Sequence, residues 1–100
     1  MHISTVESAT PLAQDVAVSK DTLSVELSDG RSIAVPLAWF PRLMYASIEE
    51  RQHWRLIGNG TGIHWKDLDE DISVEGLLAG HPSGESQASF AKWLRERGPV

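Results

Sequence analysis

One hundred residues, 41% hydrophobic and 23% charged, describe one small globular domain with a single core rather than a disordered chain. A net charge of −5 excludes sequence-independent nucleic-acid binding by the whole surface, which needs clustered Lys and Arg. The absence of cysteine excludes a disulfide framework, thiolate zinc sites and a cysteine nucleophile, and suits a cytoplasmic setting.

Residues 1–14 carry no Lys or Arg and no apolar run. They are expected to be a flexible leader, neither secretory signal nor anchor. No apolar segment approaches the ~18 residues of a bilayer span, so no membrane association is expected. The folded domain is expected over 15–80. Val16 and Val18 alternate with small polar neighbours as a short strand. Leu23, Val25 and Leu27 alternate on a second strand, and Ile33 and Val35 on a third. Asp29-Gly30 between the last two predicts a hairpin with a type I′ turn, which needs positive φ twice. Pro36 ends that ladder by removing a donor.

The stretch 37–52 reads as the main helix, in two pieces. Pro41 suits a first helical turn, and Leu43, Met44 and Ile48 recur at helical spacing. Ser47 and Glu50 have the form of a capping box, where a helix can restart. A second hairpin is expected over 54–57 and 62–66, joined by a turn carrying Gly58, Gly60 and Gly62. Alternation places Ile63 and Trp65 inside and His64 outside. Ser73 can cap a short helix stopped by Gly80. Residues 81–84 read as a linker. Phe90, Ala91, Trp93 and Leu94 then form the apolar stripe of a C-terminal helix over 86–97, with Lys92, Arg95 and Arg97 beside it. Three of the four tryptophans, Trp39, Trp54 and Trp65, are expected in the core.

The densest cluster of chemistry-bearing residues is His64, Asp67, Asp69, Glu70 and Asp71. Its spacing matches neither a zinc helix motif nor a calcium loop. Asp67, Asp69, Glu70, Asp71 and Glu75 read most simply as a solvated acidic loop whose last members favour the start of the following helix. The glycine-rich turn is followed by a strand-like run, so it lacks the helix N-terminus that a phosphate loop needs. No G-x-S-x-G elbow is present. His53 falls at i+4 from Glu49.

The run 23–37, Phe40-Pro41-Arg42-Leu43, Ser47 to Arg51, Gly60 to Trp65, and Leu68 through Val74 to Leu77-Leu78 together resemble the bacterial family catalogued as domain of unknown function 2442. The resemblance covers about 16–80. It implies a small α+β domain related to the N-terminal domain of a protein from ammonia-oxidising bacteria. It also implies that an antitoxin role is open, since some members are encoded beside a second small protein. Other relatives carry a helix-turn-helix, for which residues after 80 leave no room here. No catalytic residues are established for the family, so none are carried over.

The expected architecture is therefore α+β. A small antiparallel sheet of hairpins packs under one main helix, and a linker and amphipathic helix follow over 81–100. The expected function is a non-enzymatic interaction module with a protein partner or a second copy, without cofactor, metal or direct nucleic-acid contact. Its expected partner surface is Asp67, Asp69, Glu70, Asp71, Glu75, Phe90, Trp93 and Leu94. The alternatives are a small enzyme or metal-binding protein using His64, Asp69 and Asp71, and a DNA-linked regulator acting through dimerisation.

Overall fold

The computed structural model describes residues 10–98. Strands β1 (Ala13–Val18), β2 (Thr22–Leu27) and β3 (Ser32–Pro36) form one antiparallel sheet in the order β1-β2-β3. Register places Val16 opposite Val25 and Leu23 opposite Val35, so the alternating apolar residues share the inner face. A register shift lies between Ala13 and Asp15. Strict alternation from Val16 would turn Gln14 inward and Ala13 outward. The extra residue reverses this: Ala13 is buried and Gln14 exposed. β1 thus begins inside the stretch read as a leader, and residues 1–9 of that leader lie outside the described residues.

The β2–β3 hairpin forms as expected, but its turn differs. Leu27 donates to Arg31 O and Gly30 donates to Leu27 O, which encloses the loop Ser28-Asp29-Gly30. Gly30 has φ +92° and Asp29 is not in the left-handed region. This is a three-residue loop with one left-handed glycine, in place of a type I′ turn. The Asp29 carboxylate accepts from the Arg31 amide at 3.0 Å and pairs with its guanidinium at 2.8 Å. That local bonding favours the longer loop.

The stretch 37–52 divides into three short pieces: a 3-10 turn at Leu37–Trp39, α1 (Pro41–Met44) and α2 (Ile48–Gln52). Phe40 precedes Pro41, and the proline ring pushes it out of the helical region to φ −128°, ψ 85°. The capping box restarts the chain at α2: Ser47 Oγ accepts from the Glu50 amide and the Glu50 carboxylate accepts from the Ser47 amide.

A second antiparallel sheet follows, β4 (Trp54–Ile57), β5 (Gly62–Trp65) and β6 (Glu70–Ser73), in the order β4-β5-β6. The expected solvated acidic loop is thus partly a strand. Leu68 and Ile72 are its apolar anchors, both buried, and Asp69 turns the chain at φ +51°. The glycine turn before β5 packs against β1; a Cβ on Gly60 would stand 2.9 Å from Ala13 O. Helix α3 (Val74–Ala79) is capped by Ser73 Oγ and ended by Gly80 at φ +78°, as its sequence predicts.

The core joins the inner faces of both sheets with Leu37, Phe40, Leu43, Leu68, Val74 and Leu77. Of the tryptophans only Trp65 is fully buried. Trp39, on the 3-10 turn, and Trp54, on an edge strand, are only partly covered, so the core holds one tryptophan and not three. Among the described residues no polar or charged residue is buried. The longest helix is α4 (Gln87–Arg97), capped by Ser86 and docked on the same chain. Trp93 packs on the core, and Arg97 pairs with Glu50 at 2.7 Å. No helix of the described residues is long and apolar enough to cross a membrane.

Candidate functional site

The acidic run does not form one patch. Asp67 bonds His53 Nδ1 at 2.7 Å, so His53 pairs across the sheet end rather than with Glu49. Asp71 bonds His64 Nδ1. His64 lies on the outer face opposite buried Ile63 and Trp65, with its side chain 20% exposed beneath Asp71. Asp69 lines clefts beside Arg42 and α4, away from the His64–Asp71 pair. His64, Asp69 and Asp71 therefore do not converge. Glu75 sits in the first turn of α3, where its charge favours the helix start.

Arg42 organises the other side. Its Nε and Nη2 donate to Glu85 at 3.0 and 2.5 Å, and Nη1 donates to Leu68 O at 2.7 Å. The bonded pair raises the Arg42 pKa and holds Glu85 below the usual carboxylate range. Glu70 shares the inward-facing parity of Ile72 at the start of β6, which half-buries its carboxyl. Burial is the main cause that pushes its pKa up to about 7; Arg42 opposes the shift, while Glu85, Asp71 and Asp69 add to it. Beside it a cleft of about 220 Å3 runs between β6, α3 and the strap 81–84.

The three apolar residues of the expected surface have separate fates. Two guanidiniums approach the Trp93 ring, Arg97 at 4.5 Å and Arg42 at 5.3 Å from its centre. Phe90 stacks on Trp93 at 5.8 Å and meets Tyr45 edge-on at 5.3 Å. Leu94 is half-buried. Against Phe90 stands Tyr45, and two of its neighbours in sequence, Met44 and Ile48, are also exposed. Met44, Tyr45 and Ile48 are 40, 60 and 78% exposed. Met44 and Ile48 would share the buried stripe of one continuous helix. The capping box at Ser47 was the signal that they do not, since a restarted helix loses phase with its predecessor.

The family model described as protein of unknown function (DUF2442) matches residues 13–83, from the first residue of β1 into the strap. The chain is similar to a crystallised protein of unknown function from Rhodospirillum rubrum, at 29% identity and TM-score 0.67, over 80% of this chain and 96% of that one. It is also similar to an uncharacterized protein from Chromobacterium violaceum solved by solution NMR. There the identity is 21% and the TM-score 0.65, over 95% of this chain and 82% of that one, a likeness of fold alone. No curated protein matches the chain. Both sheets, the divided helical stretch and α3 lie within the matched span, and on that match the chain belongs to the DUF2442 family.

Proposed function

We propose that this chain is a cytoplasmic, non-enzymatic interaction module that binds a basic protein through the face formed by α1, α2 and α4. The observation that carries this reading is the exposure of three large apolar side chains within five residues, Met44, Tyr45 and Ile48, with Phe90 against Tyr45. Grouped large apolar side chains on a surface mark interaction sites, and tyrosine is common among the residues that dominate binding. Glu49 is exposed beside Ile48, and the chain carries −5 overall, which favours a basic partner over a second acidic copy. Asp69 and Glu75 form no ion pair among the described residues and add to that bias. The finer form of the proposal makes the partner the toxin of a bacterial pair and this chain its antitoxin.

The test is co-expression with the protein encoded by the adjacent reading frame, followed by affinity capture and light scattering. A stoichiometric complex is expected, weakened about tenfold or more by Ile48→Asp with an unchanged melting temperature, and likewise by Tyr45→Ala, which also lowers the melting temperature slightly by removing the contact with Phe90. Equal binding by both variants would remove the patch from the interface. A homodimer of the isolated chain that Ile48→Asp dissociates would assign the patch to self-association instead.

A further inference from the structure

The outer face of β4 and β5 carries a second site, and we propose that it binds a phosphate dianion. Register sets Arg55 directly opposite His64, and His53, which immediately precedes β4, lines the same concavity as Arg55. With Gln52, Trp54 and Lys66 these residues line a concavity of about 350 Å3 that no carboxylate lines. This is an exception in an acidic chain. Arg31, Arg42 and Arg97 are each paired with a carboxylate, and Arg51 donates to the carbonyls of Leu43 and Met44. Arg55 and Lys66 form no ion pair among the described residues.

Both histidines line that cavity and are held at the same ring nitrogen. Asp67 holds His53 at Nδ1, and Asp71 holds His64 at Nδ1. A carboxylate at Nδ1 places a proton there and fixes the ring, leaving Nε2 as the working nitrogen. Neither Nε2 makes a hydrogen bond among the described residues. Rings held this way also serve metal ions. Here Asp67 and Asp71 stand behind the rings and are not part of the lining, whereas Arg55 and Lys66 are, so the surface offered to a ligand favours an anion over a cation. A ring that carries its second proton donates Nε2–H to the dianion. The guanidinium fork matches two phosphate oxygens, and the lysine ammonium supplies a compact charge for a third. A monoanion such as chloride uses few of these donors.

The experiment follows the histidine ring resonances of the full chain by NMR at pH 7. Inorganic phosphate and phenyl phosphate are added in parallel against sodium chloride at matched ionic strength. Saturable shifts of His53 and His64 are expected with both phosphates and not with chloride. Arg55→Gln and Lys66→Gln should each raise the apparent Kd about tenfold, as loss of a charge-assisted bond does, without changing the melting temperature. Tighter binding of phenyl phosphate would assign the site to a small organic monoester, and equal binding to the free ion. Linear shifts that chloride reproduces would overturn the proposal. So would saturable shifts that survive in the Arg55→Gln/Lys66→Gln double variant. Ile48→Asp should leave the phosphate response intact, so this site and the protein-binding patch fail independently.

Discussion

Trp65 and His64 are neighbours in sequence with opposite roles, because side chains alternate across a strand. Trp65 is fully buried and its Nε1 donates to Arg51 O at 3.1 Å, so it links β5 to the end of α2 as well as filling the core. His64 lies on the outer face, bonded to one carboxylate that is itself 67% exposed. Trp65→Ala should therefore cost roughly 3–5 kcal/mol, the usual range for emptying a core aromatic site. His64→Ala should cost about 1 kcal/mol or less, as the loss of one hydrogen bond on the outer face does. Urea titrations of both variants check this. The reverse order would mean that the outer face carries structural weight that the geometry does not show.

Among the elements, the β2–β3 hairpin rests on one backbone conformation. Gly30 stands at φ +92° with open space where a side chain would be. Gly30→Val should destabilise by about 1–2 kcal/mol through backbone strain alone, since a β-branched residue resists that region. A melting temperature equal to the parent's would refute the turn. Helix α4 is held differently, by Trp93 on the core and by ion pairs at both ends, Arg42–Glu85 and Arg97–Glu50. Its stripe is too short for an independent helix. Removing residues 82–100 should leave the two sheets folded, with a lower melting temperature and new binding of an apolar dye. Circular dichroism and dye fluorescence decide this. An unfolded product would make α4 part of the core, and an unchanged melt with no dye binding would mean that its packing contributes nothing.

At the scale of the whole molecule, and apart from the fully exposed Asp29, whose pKa its own turn lowers, three carboxyls shape the response to pH. Hydrogen bonds from Arg97 and Arg42 hold Glu50 and Glu85 below the usual range. Their stability is present above the ordinary value of 4.5 and is lost as pH falls through their lowered values. Glu70 acts in the opposite sense. Its pKa rises from 4.5 unfolded to about 7 folded, so its contribution is full below 4.5 and is lost as pH rises through 7. Stability should peak between these limits. Glu70→Gln, which mimics the protonated acid, should stabilise by about 1 kcal/mol at pH 8 after allowance for solvent screening, and by nothing at pH 4. Urea midpoints at both pH values test the sign. An equal gain at the two would show that the half-buried carboxyl does not titrate as its position dictates.

Whatever depends on neighbours in sequence was legible in the chain itself. Alternation placed the inner faces of β2, β3 and β5. The Ser47–Glu50 box and the Ser73 and Gly80 caps were readable because each joins groups within a few residues. The family resemblance over about 16–80 also stood on contiguous motifs, and the match over 13–83 agrees with it. Tertiary structure alone decided the rest. It closed Arg42 onto Glu85 across 43 residues and Arg97 onto Glu50 across 47. It paired His53 with Asp67 across 14, and so divided an acidic run that composition presented as one surface. It also left Met44 and Ile48 outside the core. The physical reason is common to all of these. A local pattern fixes which way a side chain points within its own strand or turn, whereas the partner it meets depends on how separate elements share one small core.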